Sequence, residues 1–267
     1  MSAEDILHCE INNGVARITM NRPEKHNAFN AELIQALYEC FLALRSNKDV
    51  RVVLLCGAGK SFSAGADAEW MRQAGKNNEA ENHADALRLA QMLQQLNTLP
   101  QPVVALVQGA AVGGGMGLVC ACDIALAAEK AFFATSEVRL GLAPSTISPY
   151  VLSAIGVRQA SRYFLTAERI NAYDAKRIGI VHEVCAENEL ENCAQKIIDA
   201  LLQGGSGAQS SCKELIRNVA YKNIDESLLQ ETAAHIAFLR SQEEAVQGLS
   251  AFLQKRTPPW CPSVPSS

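Results

Sequence analysis

Residues 103–123 read Val-Val-Ala-Leu-Val-Gln-Gly-Ala-Ala-Val-Gly-Gly-Gly-Met-Gly-Leu-Val-Cys-Ala-Cys-Asp. An apolar, strand-like run, Val103–Val107, leads to the glycine run 113–115, which opens a helix-like stretch from Met116 to Cys120. Glycines let the backbone approach a ligand closely because they have no Cβ. A helix N-terminus also presents unpaired N–H groups and a partial positive charge. The stretch therefore predicts a strand, a turn and a helix that bind a ligand oxygen through the backbone.

A second turn of the same kind lies earlier in the chain. Ser63-Ala64-Gly65-Ala66-Asp67 follows the apolar run 52–55. Two such turns side by side can aim two N–H donors at one oxygen. That arrangement is an oxyanion hole, which stabilises a developing enolate or tetrahedral oxyanion.

The apolar pattern around these turns predicts an α/β fold. Strand-like runs rich in Val, Ile and Leu alternate with helical patterns, which indicates βαβ units with largely parallel pairing. The predicted strands are 15–20, 52–56, 103–107, 124–127 and 181–185, and the predicted helices between them are 31–45, 82–96 and 116–120. From residue 187 onward the spacing is helical, with helices predicted at 194–202, 209–219, 227–239 and 243–253.

Composition is that of a soluble enzyme domain. The chain has 267 residues, 48% of them hydrophobic and 19% charged, with a net charge of −4. The absence of a basic stripe argues against a nucleic-acid partner, and no run is long enough to cross a membrane. Nine scattered cysteines show no metal-ligand spacing, which indicates structural thiols in a reducing compartment, hence a cytoplasmic protein with no metal site.

The two turns carry a family resemblance. Together with Asn27-Ala28, Cys122-Asp123-Ile124 and Glu137, they resemble the landmarks of the crotonase superfamily, the enoyl-CoA hydratase/isomerase family, in family order. The match runs from Val15 to Arg256. The resemblance implies a crotonase-like ββα spiral core over residues 1–200 and a C-terminal helical trimerisation region over 201–256. Residues 257–267, rich in proline and serine, are expected to form a flexible tail.

The resemblance also implies a site. The substrate would be a coenzyme A thioester, with no separate bound cofactor, whose carbonyl lies between the N–H groups of Ala66 and Gly114, and Glu137 would be the acid–base. Other coenzyme A contacts would come from Lys25, His26, Ala28, Ala64 and Asp67, and from Phe252 and Lys255 of an adjacent subunit in a homo-trimer or hexamer. The substrate pocket would include Gly117, Arg139 and Ser145.

One position departs from the family pattern. Many family hydratases carry a first glutamate where this chain has Gly117, so a mechanism with two carboxylates is in doubt. Three alternatives follow: a hydratase that uses Glu137 alone, a Δ3,Δ2-enoyl-CoA isomerase, and an inactive acyl-CoA-binding protein. The segment after Glu137 resembles the methylglutaconyl-CoA and isohexenylglutaconyl-CoA hydratases, which favours the first alternative and a 3-branched or carboxylated acyl group.

Local geometry gives two of these pocket residues, Arg139 and Gly117, a possible role. On a strand, Arg139 would share a face with Glu137, two residues before it, and could bind a substrate carboxylate. A structural ion pair of Arg139 with Glu137 or another acidic residue is an equally good interpretation. The missing side chain at Gly117 could widen the pocket for a substituent on the β-carbon.

Overall fold

Two β-sheets organise the chain, whose residues 6–262 are described in a computed structural model. The larger sheet has six strands in the order β1-β2-β3-β4-β6-β9, and the smaller has three in the order β5-β7-β8. Neighbours in the larger sheet pair in parallel except β1, which forms an antiparallel hairpin with β2. The strands are β1 Leu7–Asn12, β2 Val15–Met20, β3 Val52–Gly57, β4 Val103–Val107, β5 Ala110–Val112, β6 Ile124–Ala128, β7 Phe132–Ala134, β8 Ile170–Asn171 and β9 Glu183–Cys185.

Most helices lie between these strands along the chain, and the last four follow the final strand. They are α1 Ala31–Arg45, α2 Ala68–Ala74, α3 Glu79–Asn97, α4 Gly114–Ala121, α5 Ser148–Thr166, α6 Ala172–Ile178, α7 Leu190–Leu202, α8 Ser206–Val219, α9 Glu226–Ser241 and α10 Glu243–Leu253. Gly156 interrupts α5 with a non-helical φ of 70°. Among the described residues, no helix is long and apolar enough to cross a membrane.

The chain winds as a spiral, and the turns that begin with β4 and β6 contribute a strand to each sheet. After β4 it forms β5 and then α4, and after β6 it forms β7 and then α5. Parallel bridges join Ser63 to Ala111 and Phe29 to Ala66, so the turns after β2 and β3 lie along the smaller sheet as well. Parallel pairing follows because each turn of the spiral runs in the same direction. The predicted α/β class with repeated ββα units is therefore confirmed.

The central strands are buried on both faces, as their unbroken apolar runs predict. Val53 and Leu55 of β3 belong to a core cluster under α1, α3 and α5. Their neighbours Val52 and Leu54 belong to a second cluster, which α7 covers. Because side chains alternate along a strand, one apolar run supplies both clusters.

The C-terminal helices bury little of their apolar surface in a single chain. Leu228 and Ala251 are the buried apolar residues of α9 and α10. Large apolar side chains on these two helices are exposed: Leu229, Ile236, Phe238, Val246, Leu249, Phe252 and Leu253. Lys213 of α8 is buried and holds the region to the core, because its Nζ donates to Asp123 Oδ2 at 2.5 Å and to the Gln101 carbonyl at 2.9 Å.

The segment predicted as a flexible tail differs from that expectation in its first six residues. Trp260 Nε1 donates to the Gln203 carbonyl at 3.1 Å, and the Arg51 guanidinium donates to the Trp260 carbonyl. The ring of Trp260 lies against Gly248. An aromatic side chain with a satisfied N–H thus ties this segment to α7 and α10. Residues 263–267 of the predicted tail lie outside the described residues.

Candidate active site

A cavity of about 320 Å³ opens where the two glycine turns meet. One part of its wall is formed by the turns and by the segment around Glu137, and another part by α2 and α3. The lining is mostly apolar. Its residues are Phe29, Ala64, Gly65, Ala66, Trp70, Met71, Ala74, Asn82, Asp85, Ala86, Leu89, Gly113, Gly114, Ser136, Glu137, Leu140, Leu142, Ala143, Pro144, Ser145, Thr146 and Ile147.

Glu137 contributes a carboxylate to this cavity. It begins a short 3-10 helix, Glu137–Leu140, and its Oε2 is buried with no hydrogen-bond partner among the described residues. Its Oε1 lies 3.0 Å from the position that a Cβ on Gly113 would occupy. Burial raises the pKa of Glu137 above the ordinary value of a glutamate, because the charged form loses hydration. A carboxyl group in this setting is suited to accept and return a proton.

The N–H of Ala66 is free to face the cavity. Phe29 N donates to the Gly65 carbonyl at 2.6 Å, and Asp67 N donates to the Phe29 carbonyl at 2.8 Å. In such a parallel bridge the groups of Ala66 itself point away from Phe29. No described residue accepts a hydrogen bond from the Ala66 N–H.

Gly114 supplies a second free N–H as the first residue of α4. The helix cap, Gly113, has a φ of 51° and offers no side-chain acceptor. The Gly114 N–H has no acceptor within residues 6–262. A Cβ at Gly114 would lie 2.4 Å from Phe29 Cε2, so the Phe29 ring occupies the place of a side chain there. Both predicted donors therefore line one cavity with their N–H groups unused.

A buried ion pair fixes the loop that carries Ala66. Arg22 Nη2 lies 3.0 Å from Asp67 Oδ2, and each side chain is 9% exposed. Burial pushes the pKa of Asp67 upward, but the Glu69 N–H and the Arg22 guanidinium outweigh it and hold the pKa below its ordinary value. Asp67 also caps α2. It does not line the cavity, and its side chain supports the loop that carries Ala66. The coenzyme A contact expected of Asp67 from the resemblance stays a prediction.

Gly117 does not widen the cavity, contrary to the sequence expectation. It is buried in α4, and a Cβ there would lie 2.3 Å from Ile147 Cγ2 and 2.8 Å from Ile147 Cβ. Ile147, which does line the cavity, fills the space that a side chain at 117 would need. An apolar side chain from the segment before α5 thus takes the place of the side chain that Gly117 lacks.

The expected pairing of Arg139 with Glu137 on one strand face is wrong, because the two residues lie in a 3-10 helix. Residues two apart in such a helix point in different directions. Arg139 is exposed and does not line the cavity. Ser145, by contrast, does line it, and its Oγ donates to the Ala143 carbonyl at 3.4 Å.

The remaining predicted contacts lie around the rim or away from it. Ala64, a lining residue, donates its N–H to the His26 carbonyl at 2.9 Å, which holds the 25–28 loop beside the cavity. Lys25 and His26 are exposed on this loop, whereas Ala28 is buried. The two residues expected from an adjacent subunit, Phe252 and Lys255, are exposed and do not line the cavity of their own chain.

Several of the lining residues were not predicted from the sequence. Phe29, Trp70, Asp85 and Ile147 come from four different segments, and no local motif marks them. For Phe29 a signal existed, since it directly follows the quoted Asn27-Ala28 landmark. The others depend on how α2, α3 and α5 pack, which apolar spacing does not specify.

One cluster of possible metal ligands occurs within the described part of the chain. Ligand atoms of Glu183, Cys185 and Cys193 lie within 4.8 Å of one another, on β9 and α7. None of the three lines the cavity. The proton-transfer groups described above are separate from this cluster.

Comparison with known proteins places these features in context. The family model described as enoyl-CoA hydratase/isomerase matches residues 10–262. A short-chain-enoyl-CoA hydratase of Clostridium acetobutylicum is 33% identical over 91% of this chain and 92% of its own length. A trans-2-decenoyl-[acyl-carrier-protein] isomerase of Streptococcus mutans is 30% identical over 97% of this chain and 98% of its own length.

A solved structure shares the whole architecture. The crystal structure of an enoyl-CoA hydratase from Shewanella pealeana superposes with a TM-score of 0.93 at 43% sequence identity, and covers 96% of each chain. The predicted crotonase-like fold is thereby confirmed.

Proposed function

The chain belongs to the enoyl-CoA hydratase/isomerase family of enzymes, and we propose that it hydrates an α,β-unsaturated acyl-CoA with Glu137 as its only acid–base. One observation carries the proposal. A buried carboxylate without a partner and two unused N–H groups, those of Ala66 and Gly114, line the same cavity.

The chemistry follows from these three groups. The thioester oxygen accepts both N–H groups, which stabilise the enolate that forms when a nucleophile adds to the β-carbon. Glu137 in its carboxylate form removes a proton from water as the water oxygen bonds to the β-carbon. The resulting carboxylic acid then donates that proton to the α-carbon. The carboxylate form of Glu137 is thereby regenerated, and water is added across the double bond.

The cavity supports an uncharged acyl group. Its described lining includes the carboxylates of Glu137 and Asp85 but no lysine, arginine or histidine. A carboxylate on the acyl group would face the like charges of Glu137 and Asp85, and no lining residue would supply a cation to pair with it. Arg139, the residue expected to bind such a carboxylate, is exposed and does not line the cavity. We therefore favour an apolar acyl chain that lies along α2 and α3 over the carboxylated glutaconyl type.

Coenzyme A would lie over the 25–28 loop in this proposal. Ala64 and Ala66 edge the cavity, and the exposed Lys25 offers an ammonium group for a phosphate. We also infer assembly into a homo-trimer or hexamer. The exposed apolar side chains of α9 and α10 supply the surface that a second copy of the chain would cover, and Phe252, at 79% exposure, is among them.

Isomerisation is the second candidate. Moving a proton between the α- and γ-carbons needs one base and an oxyanion hole, and no water. Ile147 fills the space at Gly117 where a second carboxylate would stand, which favours a site with a single proton carrier. The similarity to the trans-2-decenoyl-[acyl-carrier-protein] isomerase of Streptococcus mutans supports this candidate as well.

The test uses purified full-length protein with crotonyl-CoA and with trans-3-hexenoyl-CoA. A hydratase removes the ultraviolet absorbance of the conjugated thioester and yields a product heavier by one water. An isomerase instead creates that absorbance from the trans-3 substrate without a change in mass. Glu137→Gln should abolish either activity while coenzyme A thioesters still bind. Glu214→Gln, at an exposed glutamate of α8, is the matched control. Full turnover by the Glu137→Gln variant would refute the proposal.

A further inference from the structure

Two cysteines face each other in a surface groove on the side of β1. Leu7, Cys9 and Ile11 alternate along β1 and line the groove together, as residues with period 2 do. Cys40 of α1 lines the opposite wall, and the cavity between them measures about 390 Å³. Cys9 is exposed and Cys40 is half-buried, so a small solute can reach the pair.

The two thiols lie close enough to influence each other: the partner side chain is the largest cause of the pKa shift of each. We propose that Cys9 and Cys40 form a peroxide-reactive dithiol, in which Cys9 is the nucleophile, Cys40 the resolving thiol, and a reversible disulfide between β1 and α1 the product.

The electrostatics agree with this order of events. The hydrogen bond from Cys40 lowers the pKa of Cys9 to about 7, against the opposing effects of burial and of Glu10 on the same strand. Glu39 of α1 also lines the groove and adds negative charge on that side. The thiol of Cys40 keeps its proton, since its pKa is raised by the contact with Cys9 and by burial. A thiolate next to a thiol is the arrangement in which an oxidised sulfur is resolved to a disulfide.

The reaction balances with hydrogen peroxide or an organic hydroperoxide as the oxidant. The Cys9 thiolate attacks one peroxide oxygen, the O–O bond breaks, and Cys9 becomes a sulfenic acid while the peroxide is reduced to water or an alcohol. The Cys40 sulfur then attacks the sulfenic sulfur, the S–O bond breaks, and the hydroxyl leaves as water with the proton of the Cys40 thiol. The dithiol loses two protons and two electrons overall, which together are two hydrogen atoms.

The sequence makes the product easy to detect. Trypsin releases Cys9 in the peptide 1–17 and Cys40 in the peptide 26–45, each with a single cysteine. Full-length protein is treated with stoichiometric hydrogen peroxide, alkylated, and digested without reductant. We expect these two peptides linked, lighter than their sum by two hydrogen atoms, and separated again by dithiothreitol.

Three variants complete the test. Cys40→Ala should leave Cys9 as a sulfenic acid that dimedone traps, and should slow alkylation of Cys9 at pH 7 about tenfold, because its thiolate loses the hydrogen bond. Cys9→Ser should abolish both the dimedone adduct and the disulfide-linked peptides. Cys212→Ser, at an exposed cysteine of α8, should change neither. The proposal is overturned if the wild-type peptides stay unlinked, if Cys9 ends as a sulfinic acid, or if Cys212 reacts as fast as Cys9.

Discussion

Replacement of Gly117 by alanine should destabilise the protein, although alanine in a helix ordinarily does the reverse. Alanine is better than glycine in a helix interior by about 1 kcal/mol. Here its Cβ would lie 2.3 Å from Ile147 Cγ2, in a position where both residues are buried. Overpacking of this kind costs roughly 1–3 kcal/mol. The single variant should therefore unfold at lower urea concentration than the wild type.

The sign should change when Ile147 is removed. Alanine at 147 would keep a Cβ 2.8 Å from the new one, so glycine is the variant that clears the space, with the Ile147 Cα 3.8 Å away. In the Ile147→Gly background, Gly117→Ala should stabilise. The four proteins form a double-mutant cycle, measured by urea unfolding at one protein concentration. The expected coupling is about 1–3 kcal/mol, the overpacking cost, because the helix preference of alanine is the same in both backgrounds. Additive effects, within about 0.5 kcal/mol, would refute the packing argument.

The same cycle with glutamate addresses function. Gly117→Glu alone should lose activity because Ile147 obstructs the new side chain. Gly117→Glu with Ile147→Gly should admit a second carboxylate and raise the pKa of Glu137 through like charge, which moves the acid limb of the pH–rate profile upward. An active Gly117→Glu single variant would show that the Ile147 side chain moves aside at little cost, and would contradict this expectation.

Three further outcomes are expected. Glu137→Gln should raise the unfolding temperature at pH 7, because a carboxyl whose folded pKa is raised destabilises the fold once it ionises, by about 1.4 kcal/mol per pKa unit; thermal scans at pH 7 and pH 4 should show the advantage shrink in acid. Ala66→Pro should lower turnover roughly a hundred- to a thousandfold by deleting one N–H, while calorimetry shows coenzyme A product binding retained. Asp67→Ala should destabilise by about 3–5 kcal/mol, since Arg22 is left buried and unpaired. The exposed ion pair of Asp174 is the control, with Asp174→Ala costing at most about 1 kcal/mol.

Sequence patterns predicted the elements that have a regular apolar period. Helix α1 and strand β4 match their predicted bounds, since an amphipathic stripe and an unbroken apolar run each specify one structure. Strand β1 was missed because five of its six residues are exposed and carry no strong apolar signal. Helix α5 was missed, and Gly156 interrupts its helical spacing.

At the site, sequence could mark the backbone donors but not their surroundings. Glycine runs identify where a main chain approaches a ligand, so Gly114 was within reach of sequence reasoning. The occupant of the space beside Gly117 comes from residue 147, thirty positions away, and only packing reveals it. The strand assumed for Arg139 failed because the segment folds back locally into a 3-10 turn.

The two walls of the cavity differ in how freely they can change during evolution. The wall with Gly114 and Ile147 is bound to the core, because Ile147 belongs to the core cluster and the buried Phe29 ring lies where a Gly114 side chain would be. A substitution there therefore alters the stability of the whole protein. Helix α2 buries none of its residues, and α3 buries only Met92, Leu93 and Leu96 near its end. Under the proposed function, substitutions at Met71 or Asp85 would therefore reshape the part of the cavity that takes the acyl group, at small cost in stability. New chain-length preferences can arise on that side while the proton-transfer groups stay untouched.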